Sequence, residues 1–192
     1  MNKLTSILIG LVLSATSAFA NTTVVTLEQI QRFDIARSAS TMSMIDWKVG
    51  DAQSYKVTLG GFGMEGTMEK EAIKEEGNGI WIRQELKLPI MNDKSEILFD
   101  RDSGEILKYI HNGKEEAAPK GDLEVISTKQ TTVEVPAGKF KVLHVMAKSK
   151  DVKDIQVWMN PTEIALDGAA KMYMDQGQVK ITMLLTKFVK KD

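Results

Sequence analysis

The sequence predicts a mainly β (α+β) domain: a curved antiparallel half-barrel or barrel of about nine or ten strands, preceded by one short helix. Three observations carry this. Runs of alternating apolar and polar residues recur from Tyr55 onward, turn signals such as Gly77-Asn78-Gly79 and Asn112-Gly113 separate them, and helical spacing occurs once, between Thr26 and Arg37. So many strands in one domain must hide their edges, and curling is the usual means.

The first twenty residues read as a secretory signal peptide. Lys3 precedes the apolar stretch Leu4 to Leu13, and Ala18-Phe19-Ala20 has the small-x-small pattern of a cleavage site. The stretch is too short for a bilayer, which needs about 20 apolar residues, so the expectation is cleavage near Ala20 and no transmembrane anchor afterwards. Residues 21–192 then form a single β-rich domain of 172 residues. In the helix, Thr26 and Gln29 are spaced as a capping box, and Leu27, Ile30 and Phe33 make the apolar stripe.

The strands follow in order. Tyr55 to Leu59 alternates, Gly60-Gly61-Phe62-Gly63 marks a bulge or bend, and Met64, Gly66, Met68, Lys70 and Ala72 then share one face. Beyond the Gly77 turn, Ile80, Ile82, Leu86 and Leu88 oppose Trp81, Arg83, Glu85 and Lys87. Ser95 to Asp100 and Glu105 to Ile110 flank Arg101-Asp102-Ser103-Gly104 as a hairpin, closed by Asn112-Gly113, a pair suited to positive φ. Leu123 to Thr128, Thr131 to Val135, Lys139 to Ala147, Ile155 to Met159 and Val179 to Val189 complete the series, punctuated by Pro136-Ala137-Gly138 and Asn160-Pro161.

Composition narrows the function classes. Without Lys3 there are 24 basic and 26 acidic side chains, interspersed, which argues against nucleic acid as a partner. There is no cysteine, which excludes a disulfide framework, a thiolate metal site, a cysteine nucleophile and an acylated lipoprotein. An exported domain without disulfides points to a periplasm. His111 and His144 have no ligand-spaced companion, the carboxylate runs read as solvated faces, and no serine stands in a Gly-x-Ser-x-Gly elbow. The expectation is no enzyme, no catalytic residue, no metal and no cofactor, with His144 an inward histidine bonded to a neighbour or lining a cavity. An isomerase or lyase using His144 as base is the enzymatic rival.

Methionine is the compositional oddity, with ten after the initiator. A soft core filling irregular gaps is one reading, and a pliable apolar pocket is another. Copper(I) at Met42-x-Met44 and Met172-x-Met174 is a third, weighed down by the scarcity of histidine and cysteine. Trp47 and Trp158 suit core or cavity-mouth positions, whereas Trp81, alternating with charged residues, reads as an outward partner contact.

The segment Val135-Pro136-Ala137-Gly138-Lys139-Phe140, then Val157-Trp158-Met159-Asn160-Pro161 and Gly168 with Lys171-Met172, resembles a group of uncharacterised exported bacterial β proteins. Their architecture is similar to that of the periplasmic lipoprotein carriers, whose curved sheet wraps a helix and holds acyl chains. The resemblance implies a half-barrel with an apolar concave side and implies no catalytic residue. The resulting expectation is a periplasmic binding or carrier protein for an apolar small molecule or lipid, lined by Phe140, Trp158, Met172, Met174 and Met183. The alternative is a non-enzymatic envelope module with a filled core that binds another envelope protein.

Overall fold

The structure, a computed structural model, describes residues 45–192 other than 62, 119–123, 150, 151, 153, 176 and 178. The signal segment, the Thr26 to Arg37 helix, Met42 and Met44 lie outside these residues. Among those described there are eleven strands: β1 (Ala52–Gly60), β2 (Met64–Glu76), β3 (Gly79–Leu88), β4 (Met91–Asp100), β5 (Ile106–His111), β6 (Lys114–Glu116), β7 (Glu124–Val135), β8 (Gly138–Lys148), β9 (Asp154–Met159), β10 (Ala169–Asp175) and β11 (Lys180–Val189). The chain is therefore mainly β, as the alternation predicts, with eleven strands in place of the expected nine or ten. The two runs on either side of Lys129 form one strand. Lys114–Glu116 and Ala169–Asp175, for which the sequence showed no separate signal, are strands of their own.

All eleven belong to one antiparallel sheet, ordered β6-β5-β4-β3-β2-β1-β11-β10-β9-β8-β7 and not closed into a ring. Two meanders, β1–β6 and β7–β11, meet where β1 pairs with β11. The outermost strands are adjacent in sequence. From Glu116 to Glu124 the chain can reach at most about 30 Å, at 3.8 Å per residue. A flat sheet with ten strand spacings of about 4.8 Å would set its edges roughly 48 Å apart. The sheet must curl, and β7 touches β10 and β11 across the fold.

Turn chemistry sets the register. Asn112 and Gly113 take φ of 49° and 82°, giving the two-residue β5–β6 turn that an Asn-Gly pair favours. Asp100 Oδ1 accepts hydrogen bonds from the backbone N–H of Asp102 and Ser103 and from the Ser103 hydroxyl, fixing the β4–β5 connection. Gly61 and Gly63, at φ of 96° and 61°, lie between β1 and β2, so the glycines mark the bend of a hairpin rather than a bulge within a strand. Gly66 is required by close approach, because a Cβ there would lie 2.1 Å from the Lys87 carbonyl oxygen.

Two apolar clusters fill the core. One joins β1–β3 to the second meander and contains Tyr55, Met68, Leu86, Phe140, Val157, Met172, Met174 and Met183. The other lies under the first meander and contains Trp47, Ala72, Ile82, Ile97, Phe99 and Tyr109. Trp47 meets Phe99 edge-on at 5.5 Å between ring centroids. Phe188 packs against both clusters.

Candidate functional site

The clusters are separated by a polar rung. Gln53 pairs with Lys70, Lys70 with Gln84, Gln84 with Ser95 and Ser95 with His111, so five polar residues cross β1 to β5 in register on the core face. Four of them are buried outright and His111 nearly so. One side of this rung carries Ala72, Ile82, Ile97 and Tyr109; the other carries Tyr55, Met68, Leu86 and Asp93. Buried polar groups need partners. His111 Nε2 lies 2.6 Å from Asp93 Oδ1, which also accepts from Asn112 Nδ2, and Glu116 Oε2 stands 3.7 Å from His111 Nδ1.

Lys70 takes its partner from elsewhere in the chain. Residues 160–168, between β9 and β10, fold over the core face and bury Ile164, Ala165, Leu166 and Asp167. Ile164 joins the first cluster, and Ala165 and Leu166 join the second. Lys70 Nζ contacts Asp167 Oδ2 at 2.6 Å, with the two side chains only 2% and 6% exposed. Gln53 Nε2 donates to Asp167 Oδ1 at 2.9 Å and to the Ala165 carbonyl at 2.7 Å. The Ala169 N–H donates to Asp167 Oδ1 at 3.0 Å.

Local chemistry builds this loop. Asn160 Oδ1 accepts from the N–H of Thr162 and Glu163, and Asn160 N donates to the Gly168 carbonyl at 2.8 Å, which closes the base. Lys190 Nζ donates to the carbonyls of Pro161 and Thr162. Gly168 has φ of 72°, and a Cβ there would lie 2.3 Å from Pro161 N, so only glycine fits. Leu166, at φ 50°, occupies a backbone region that such a side chain rarely adopts.

An open groove of about 720 Å³ begins at the base of this loop. Val142, Leu143, Met159 and Pro161 supply its apolar lining, and Gln130, Thr131, Thr132, Lys141 and Asn160 its polar lining. Val142 and Met159 also belong to the first core cluster, so the groove lies against that cluster.

The sequence-derived lining residues divide. Phe140, Met172, Met174 and Met183 are brought together in the first cluster, at 5%, 1%, 1% and 0% exposure. Side chains so covered leave no space for a guest beside them in this conformation. Trp158 alternates with Val157 and Met159 and is only partly buried, packing at the border of the same cluster; its ring stacks on His144 at 4.2 Å, with Lys171 Nζ 4.5 Å from its centroid on a cross-strand partner. His144 is bonded to Gln156 Oε1 at 3.0 Å. Trp81 does point away from Ile80 and Ile82, yet its Nε1 donates to Glu76, Lys74 lies over its ring, and 3% of it is exposed. It offers little surface to a partner. The Lys70, Gln53 and Asp167 grouping escaped sequence reasoning, although Lys70 on the same face as Met68 and Ala72 was a signal for it.

No family model matches the chain, and no curated protein matches it in sequence. Among solved structures it is similar to a β-barrel-like protein of domain of unknown function DUF1849 from Brucella abortus, with TM-score 0.45 and 12% identity over 76% of this chain and 99% of that one. It is similar also to a protein provisionally described as a lipoprotein from Parabacteroides distasonis, with TM-score 0.43 and 12% identity over 78% and 100%. MucB gives TM-score 0.40 and 13% identity over 83% of this chain and 59% of that one.

Proposed function

We propose that the protein is an exported, periplasmic, non-enzymatic binding protein for an apolar, lipid-like ligand received at the groove beside Asn160 and Pro161. The observation that carries the reading is the groove's position against the methionine-rich core, with which it shares Val142 and Met159. Its volume of about 720 Å³ falls within the range of small-molecule sites, roughly 300–1,000 Å³, and Leu143 on its wall is 41% exposed. Export rests on the Lys3 to Ala20 segment. Native mass spectrometry of protein purified from its own envelope is expected to show retained lipid, and an apolar fluorescent probe is expected to bind. A bare mass together with no probe uptake refutes the reading.

A second reading is favoured by a different observation. Residues 124–130 of β7 are all exposed, Val125 and Ile126 among them, and no described strand pairs with the outer edge of β7. An envelope protein that adds a strand there would use the sheet edge as its binding site. A partner captured from the envelope and lost in Ile126→Lys, without any lipid retained, would select this reading.

A further inference from the structure

We propose that Lys70 and Gln53 form an internal head-group site for a carboxylate-bearing apolar ligand, and that the chain's own Asp167 occupies this site when no ligand is bound. The inference rests on the proposed apolar-ligand reading and specifies its chemistry.

The site is built around a carboxylate. Lys70 Nζ approaches one oxygen at 2.6 Å and Gln53 Nε2 approaches the other at 2.9 Å. These donors come from neighbouring strands, β2 and β1, directly opposed in register. The Gln53 amide is oriented by this role, because turning it over would set its oxygen against the negative carboxylate. As placed, Gln53 Oε1 is buried without a hydrogen-bond partner among the described residues, a cost borne to present Nε2. A buried ion pair is also a poor device for stability, since apolar residues of similar volume hold a core as well or better. Its use here is recognition.

The carboxylate arrives on a removable element. The strands that carry Lys70 and Gln53 are fixed in the sheet, whereas Asp167 sits on the 160–168 loop, hinged at Asn160 and Gly168 and strained at Leu166. Ile164, Ala165 and Leu166 fill apolar space on both sides of the polar rung. An ionised fatty acid presents the same combination: a carboxylate for Lys70 and Gln53 and an alkyl chain for the apolar clusters. The groove starts at Asn160 and Pro161, at the hinge itself, so a ligand held there is positioned to displace the loop.

The test compares hexadecanoate with its methyl ester, at slightly alkaline pH and below the onset of micelles. On the wild-type protein, hydrogen exchange at the amides of residues 163–168 is expected to accelerate with the acid and not with the ester. Asp167→Asn, which removes the internal competitor's charge, should bind the acid at least tenfold more tightly and leave ester affinity within twofold. In Lys70→Met/Asp167→Asn, which leaves no charge of this pair buried, acid and ester should bind alike. Equal binding of acid and ester in every form, or unchanged exchange in the loop, overturns the head-group site while leaving the apolar-ligand reading intact. Binding of neither ligand ends both. Should Asp167→Asn fail to fold, the exchange measurement on the wild type decides alone.

Discussion

Removal of the buried cation is the most demanding test of this architecture. Lys70→Met replaces an unbranched charged chain by an unbranched apolar one, so the volume lost is small. It leaves the Asp167 carboxylate, at 6% side-chain exposure, without the ammonium that balances its charge, while Gln53 Nε2 and the Ala169 N–H still donate to it. Breaking one partner of a buried pair costs about 3–5 kcal/mol. For a chain of this size, about 1 kcal/mol moves Tm by roughly 2–4 °C, which places the expected fall at roughly 6–20 °C. Adding Asp167→Asn removes the uncompensated charge and keeps an amide oxygen for the two donors. The double variant should recover most of the loss, so that urea denaturation across the cycle gives a coupling of about 2 kcal/mol or more. A Lys70→Met midpoint within about 1 kcal/mol of wild type, or additive effects of the two substitutions, would refute the account of the loop as held by this pair.

Three further outcomes follow from separate features. Gly168→Ala must bring a methyl to 2.3 Å from Pro161 N and force φ of 72° on alanine, so a loss above about 3 kcal/mol and protease cleavage within 160–168 are expected; a wild-type urea midpoint would contradict the tight base of the loop. Leu143→Asp alters an exposed groove wall: stability should stay within about 0.5 kcal/mol, while apolar-probe affinity drops roughly fivefold or more, and unchanged affinity would remove the groove as the binding site. The Lys108 ammonium, then the Trp81 indole, hold the Glu76 carboxyl below its ordinary value of 4.5, and burial at Glu96 works upward but is overcome by Lys94 and Arg83. Their stabilisation is therefore complete above the ordinary carboxylate value and is lost as pH falls through the lowered folded values. The urea midpoint should decline below about pH 4.5, less steeply in Glu76→Gln, and identical slopes would exclude Glu76 from the acid limb.

Period-two alternation made most of the sheet legible. Ile80, Ile82, Leu86 and Leu88 do share the core face, and Met68, Lys70 and Ala72 are buried together, because a strand with one buried face cannot slip by a residue without inverting every side chain. Ala169–Asp175 was not legible, since both of its faces are partly covered and Ala169-Ala170 lies at a register irregularity with β9. The single long β7 was hidden for another reason: its residues 124–130 are all exposed, so Thr128, Lys129 and Gln130 carry no apolar alternation across the join of the two runs. The interior site was least legible. Charge runs usually mark solvated faces, so Lys70, between Glu69 and Glu71, looked like its neighbours, and its partner lies 97 residues away on a loop with no strand or helix pattern.

The position of the polar rung argues against a merely structural interior. A sheet stabilised by packing alone would continue Ile82 and Ile97 into Leu86 without interruption, and substituting leucine or methionine for Lys70, Gln84 and Ser95 would remove the desolvation cost of each. Instead, polar groups from five consecutive strands stand at one level, and the chain spends a nine-residue connection, with one strained leucine and one obligatory glycine, to bring a carboxylate to that level. The arrangement divides the apolar interior into two clusters that meet chiefly through Phe188 and the 160–168 loop. The loop is tied to the sheet mainly by side chains, Lys70 and Gln53 on Asp167 and Ala165 and Lys190 on Pro161 and Thr162, and its backbone bonds among residues 160–168 are internal, so it can leave as a unit. The strands keep their full ladders when it does, because none of their pairing runs through residues 160–168. Opening such a fold thus requires exchange of one carboxylate for another and replacement of three apolar side chains, with no strand unpaired. A fatty acid satisfies both requirements at once; an uncharged lipid satisfies only the second and supplies no carboxylate in place of Asp167.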